Sequence, residues 1–173
     1  DKNPVVSIDG EWIPLGLGGG TNSGSHAYVY STTSQTASAV DTAYGITWNN
    51  IGANNNISIN GSDSTRIDFA KSGTFYINFH ATLASSNSST KTVYFFPKIN
   101  GTTQDHSTII STIHENGQKK VASRSGLFTV SAGDYLQAMW ATDDVAAWLE
   151  NNTATSFAPS TPSVTLSIVE VTT

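Results

Sequence analysis

Cysteine is absent from the 173 residues, which excludes disulfides, thiolate metal sites and a cysteine nucleophile. The redox compartment stays open, because an oxidising environment permits disulfides without requiring them. Charge is scarce as well: charged residues make up 12% against 38% hydrophobic. Solubility therefore rests on Ser, Thr, Asn and Gln. The net charge of −5 comes with no basic patch able to neutralise a phosphate backbone, so nucleic acid is a poor partner and so is an anionic membrane surface. No apolar run approaches the roughly 18–20 residues that span a bilayer, and the N-terminus lacks a basic start followed by an apolar stretch. The expectation is a soluble chain without membrane insertion. Asp1 in place of Met is read as the start of a processed or excised piece, and the length suits one domain.

What is present is alternation. "GTFYINFHATL" (73–83) puts Phe75, Ile77, Phe79, Ala81 and Leu83 on one face and Tyr76, Asn78, His80 and Thr82 on the other, a period of two that predicts a strand. Upstream, "HAYVY" (26–30) and "YGITW" (44–48) read as short strands. The Asn- and Gly-rich "NNIGANNNISINGSDS" reads as turn chemistry. "KTVYFFPKING" (91–101) is apolar on both faces, which calls for a second sheet or another subunit against each side. Pro97 lacks a donor and favours an edge or bulge, and Asn100–Gly101 is a hairpin signal. "STIISTI" (107–113) is a strand of blurred phase. "SGLFTVSAGDYLQAMWA" supplies two strands hinged at Gly133–Asp134. "DDVAAWLE" reads as a short strand, with helix as the alternative; at about two turns such a helix is marginal without a packing partner. "PSVTLSIVEV" ends the chain in a central strand. Residues 1–24, with "GLGGG" at 16–20, read as an arm or linker in which Trp12 and Ile13 dock on a neighbour, and 25–173 as the head domain. Nine or ten strands between Gly and Asn turns predict an all-β, two-sheet antiparallel sandwich.

The ordered series "SGTFYINFHATL", "VYFFPKING", "GLFTVSAGDYLQAMW" and "SVTLSIVEV" resembles the globular head of the complement-component C1q and tumour-necrosis-factor-like family over residues 44–171. The match places Gly73, Phe75, Tyr76, Phe79, Asn100, Gly101, Val130, Gly133, Asp134, Leu136 and Trp140 in that family's core and turn roles. The resemblance implies a ten-stranded jelly roll assembled as a homotrimer. The chain departs from the family in having no collagen-like repeat, no cysteines and a weakly matched first strand. The Ser, Thr and Asn richness is similar to heads on bacteriophage fibres, capsid appendages and bacterial surface filaments. It implies a virion or cell-surface setting.

Candidate chemistry is thin. Asp134, Asp143, Asp144 and Glu150 form the best acidic set, and calcium, which takes six to eight oxygens, is the one metal they would suit; a solvated acidic turn is the plainer reading and no other cofactor is implied. His26, His80, His106 and His114 fall in no metal-ligand spacing. His80 is expected on the surface or at a subunit contact, where its protonation would weaken a trimer that gathers copies around an axis. No nucleophile elbow is present, Asp143 and Asp144 point to opposite sides if extended, and "GLGGG" lacks a following Lys-Ser/Thr. The sequons at Asn56, Asn60, Asn87, Asn100 and Asn151 lie in or beside predicted loops and arise easily in so Asn-rich a chain. The aromatics Trp48, Tyr94, Phe96, Tyr135, Trp140 and Trp148 cannot all share one core. Tyr94, Phe96, Tyr135, Met139 and His80 are the trimer-interface candidates. Trp148, with Asp143 and Asp144, is the ligand-binding candidate. The expected function is a non-enzymatic head that attaches a larger virion, fibre or filament to a host glycan or surface protein. A carbohydrate-binding adhesin and a purely architectural decoration protein are the alternatives.

Overall fold

Period-two patterning dominates the chain, and the computed structural model, which describes residues 5–8, 11–14 and 24–171, contains strands and no helix among them. In chain order the strands are β1 (Val5–Ile8), β2 (Glu11–Pro14), β3 (His26–Ser31), β4 (Gln35–Thr36), β5 (Tyr44–Gly45), β6 (Asn50–Asn55), β7 (Ile57–Ile59) and β8 (Arg66–Phe69). They continue as β9 (Gly73–Ser85), β10 (Lys91–Ile99), β11 (Thr102–Thr103), β12 (Ile109–Ile113), β13 (Lys119–Val130), β14 (Tyr135–Thr142), β15 (Ala147–Leu149) and β16 (Val164–Glu170). Within the segment expected to be an arm, β1 and β2 pair antiparallel in a two-stranded sheet of their own. The side-chain placement of Trp12 and Ile13 lies outside the described residues.

The other strands form two seven-stranded antiparallel sheets. In one, β9 is flanked by β13 on one side and by β16 with β15 on the other, followed by β3 and β6. In the second, β14 lies between β10 and the β8–β7 pair, and β12 covers the far side of β10. Taking β3, β8, β9, β10, β12, β13, β14 and β16 as the principal strands, the first pairs with the last, the second with the seventh, the third with the sixth and the fourth with the fifth. This nesting is a long antiparallel hairpin rolled up on itself, compatible with a jelly roll. Seven strands per sheet exceed the expected ten in all, because short accessory strands such as β4, β5, β7 and β11 extend the edges.

The alternation predicted for 73–83 holds, with Phe75, Ile77, Phe79, Ala81 and Leu83 all buried. They meet the second sheet directly: the Phe79 and Phe95 rings lie 5.2 Å apart, one from each sheet. Trp48 and Trp140 are buried in the same core. The doubtful strands resolve by phase. Ile109 and Ile113 share the inward series of β12 while Ile110 points out, and β15 alternates buried Ala147, half-exposed Trp148 and buried Leu149. Asn100 and Gly101 both take positive φ, 50° and 79°, the geometry of a tight hairpin turn, and they join β10 to β11. Pro97 pairs with Ala138 of β14 on one side; on the other it falls between the end of the β12 pairing at Phe95 and the start of the β11 pairing at Lys98. It is thus at a local edge of an otherwise interior strand.

One expectation is overturned. The Asn-rich stretch read as turn chemistry contains β6 and β7, bent at Asn56, whose φ is 58°. Hydrogen bonding to β3 and β8 outweighs the low strand propensity of Asn and Gly.

Candidate functional site: an uncharged sheet face

Outward positions on the β9 sheet line up in rows because the registers of four strands coincide. Leu127 of β13, Tyr76 of β9, Val169 of β16 and His26 of β3 form one row; Ser125, Asn78, Ser167 and Tyr28 the next; Ser123, His80, Thr165 and Tyr30 the third. Val121 and Thr82 continue the face. No Asp, Glu, Lys or Arg occurs in these rows; the first cation in the outward series of β13 is Lys119, where the face ends. Large apolar groups stand in solvent here: Leu127 is 62% exposed, Val121 59%, Val169 52% and Tyr76 44%. Tyr28 and Tyr30 stack with centroids 5.4 Å apart, and Gly52 of β6 leaves only backbone beside the Tyr28 ring. Burying such a face costs little desolvation, since no ion has to leave water.

The outer face of the β14 sheet holds four of the five interface candidates. Tyr94 and Phe96 of β10 are half-buried, and Met139, opposite Phe96, is 8% exposed. The loop before β8 lies over this face. Thr65 is so close to Gly45 that a Cβ there would meet it at 2.9 Å, and its hydroxyl accepts from Gln137 Nε2 at 2.8 Å. The Arg66 guanidinium sits 4.2 Å from the centroid of the Tyr135 ring, a cation–π contact, and lies 3.1 Å from Asp63. His80, the fifth candidate, is on the opposite side of the sandwich, so the five residues do not share one patch.

The four acids considered for calcium are not brought together either. Asp134 precedes β14 and Asp143 follows it, and an eight-residue strand separates them, roughly 27 Å at 3.4 Å per residue. Asp134 accepts from Asn100 Nδ2 and from the Ser131 amide, both at 2.7 Å, and these bonds hold its carboxyl below the usual range. Asp144 accepts from the Ala146 amide and the Ser89 hydroxyl, each at 2.8 Å. Those donors, the backbone one foremost, likewise lower it. Asp143 accepts from the Thr92 amide at 2.7 Å, and Glu150 pairs with Lys119 at 2.8 Å. The carboxylates thus serve as caps and ties for the ends of strands. Among the described residues no group of three His, Cys, Asp or Glu is placed to hold a metal. Trp148 is opposite Ala84, which is itself opposite Lys119, so it falls in the row just beyond Val121 and Thr82, at the end of this face.

Sequence reasoning named His80 on this face and missed Leu127, Val121 and Tyr28 as its neighbours. The available signal was the lack of charge at every second position of β3, β9 and β16 and from Val121 to Leu127 of β13. Comparison of the chain with protein-family models and with curated protein sequences finds no match.

Proposed function

We propose that the chain is a non-enzymatic head domain of the C1q- and tumour-necrosis-factor-like kind, which trimerises and attaches a virion, fibre or cell-surface filament to a host surface. The observation that carries this reading is the uncharged outer face of the β9 sheet, where Leu127, Val169 and Tyr76 lie side by side in solvent. A contiguous apolar patch free of ions suits permanent contact with sister copies, and the nested strand pairing is compatible with the family's jelly roll. Loops at the ends of the strands are then left for recognition.

Multi-angle light scattering tests the reading. A mass of about 55 kDa, three times the 18.3 kDa chain, is expected, falling to that of a single chain in the double variant Tyr76→Glu, Leu127→Glu. A wild-type mass of one chain at high protein concentration would overturn it. A glycan-binding adhesin is the second reading, favoured by the stacked Tyr28–Tyr30 pair, of which Tyr28 is exposed: an accessible aromatic ring is what a sugar ring packs against. A glycan array showing no binding by the wild-type chain removes it and leaves architecture alone.

A further inference from the structure

We infer that the chain holds a binding site for a small monocarboxylic acid with an apolar body, in the gap where the two sheets part beside β13. A cavity of about 610 Å3 opens there between Phe95 and Ile99 of β10 and Gly126 and Phe128 of β13, over Phe79 and Leu166. That volume is in the range of small-molecule sites, and the walls are largely apolar.

Two inward positions of β13 create the space. Arg124 pairs with Phe79 and Gly126 with Ile77, so both belong to the series that should fill the core, and neither does. A Cβ at Gly126 would meet only the Phe128 ring, at 3.7 Å. Arg124 turns to the mouth, where Nη1 donates to the Thr108 carbonyl at 3.0 Å and Nη2 to that of His106 at 3.1 Å. On the opposite wall β10 has no paired neighbour at Pro97 on its side away from β14, where the missing N–H leaves no donor unsatisfied; the Pro97 carbonyl accepts from the Gln104 amide at 3.1 Å. The wall is therefore hydrogen-bonded to itself and offers apolar surface to an occupant.

The head group follows from charge. A guanidinium has five N–H donors, and Arg124 is not in either ion pair found among the described residues, Arg66–Asp63 and Lys119–Glu150. It is a fixed cation at the entrance of an apolar space, and a carboxylate is its natural counterpart. Asp105 lies at the same rim and repels a second negative charge, which selects a monoacid over a diacid. This site faces between the sheets and does not depend on whether the outer face assembles.

The test is thermal melting of the full chain with benzoate, hexanoate and the neutral benzyl alcohol, together with methyl NMR. At ten times Kd either acid is expected to raise Tm by about 3–6 °C and to shift the methyl signals of Leu136 and Leu166 while those of Ile57 stay put. Gly126→Leu fills the space and abolishes both effects. Arg124→Gln weakens the acids roughly tenfold or more and leaves benzyl alcohol unchanged. An unaltered Tm with millimolar acid, or undiminished binding in Gly126→Leu, would overturn the site. So would a fall in assembly mass on adding acid, which would make the cavity an interface between copies. Should Gly126→Leu not fold, the wild-type methyl shifts decide, and perturbation elsewhere than Leu136 and Leu166 refutes the proposal.

Discussion

The two outer faces of the sandwich solve the same problem in opposite ways. On the β14 side, most aromatic and apolar groups are covered from within the chain, Ile110 of β12 being a bare exception: Arg66 lies over Tyr135, Thr65 over Gly45, and Asn60 Nδ2 reaches Asp68 at 2.7 Å. That face carries Lys98, Arg66 and Asp68 in its outward series, charges that oppose burial under another protein unless each finds a partner. On the β9 side, comparable apolar groups are bare and no charge protects them. Sheets usually guard exposed surface and edges with lysine or inward charge. The difference teaches that covering by the chain's own loops and leaving a surface open to association go with different outward composition, and composition is readable residue by residue.

Three substitutions measure that contrast against the core the faces share. The largest effect is expected from Phe79→Ala, which empties the ring contact with Phe95 between the sheets. It should cost about 3–5 kcal/mol in urea unfolding, with tryptophan fluorescence and far-ultraviolet circular dichroism still tracing one transition. Two separate transitions would mean that the faces belong to independently stable halves. Next is Met139→Ala on the covered face. It should cost roughly 2 kcal/mol, the low end for emptying a buried Met site, and leave the mass in solution unchanged. Leu127→Ala on the open face should do the reverse, moving the stability of the separated chain by no more than about 0.5 kcal/mol while weakening assembly. Equal behaviour of the pair would erase the distinction.

Acid provides a third way to separate the regions. Asp134 and Asp144 secure the two ends of β14, and both carboxyls are lowered by the hydrogen bonds they accept, from Asn100 and then Ser131 in one case and from Ala146 and then Ser89 in the other. A carboxyl lowered on folding stabilises the native state above its unfolded pKa, about 3.9 for Asp. That contribution is lost as pH falls through the lower folded value. Melting temperature should therefore drop below about pH 4, and Asp144→Asn should begin lower and fall less steeply. A parallel profile in the variant would show that Asp144 contributes nothing to the acid response. Glu170, lowered by the bond it accepts from the Ser25 amide at 2.6 Å, responds in the same direction on the β9 side.

How much of this was legible beforehand depended on how far along the chain the relevant neighbours lie. Phe75, Ile77 and Phe79 showed their shared face because period two is a property of one segment. That Leu127 stands beside Tyr76 is a matter of register between strands about fifty residues apart, and no local pattern carries it. The β6 stretch was misread because Asn and Gly signal turns through their own preferences, whereas pairing with β3 decided the outcome. The acids looked like a cluster because the sequence brings Asp134 and Asp143 within nine positions; a straight strand turns that nearness into distance. The cavity escaped notice for a related reason: a glycine in an alternating strand looks like a gap in pattern until the facing sheet shows that nothing fills it.

A last comparison lies between two glycines, one in the turn from β13 to β14 and one within β6. Gly133 turns the chain from β13 into β14 with φ at 90° and no heavy atom within 4 Å of a would-be Cβ. Steric room is therefore not at issue, and Gly133→Ala should cost only the backbone preference, about 1 kcal/mol. Gly52 has ordinary φ, and its Cβ would meet the Tyr28 ring at 3.4 Å, a van der Waals contact that needs no rearrangement. Gly52→Ala should thus be neutral or stabilise by up to about 1 kcal/mol, by restricting the unfolded chain. Chemical denaturation of the two variants side by side resolves the sign. Were Gly52→Ala the more damaging, Tyr28 would be held more rigidly than its exposure suggests, and the β9 face would be a preformed surface at its β3 edge as well as at Leu127.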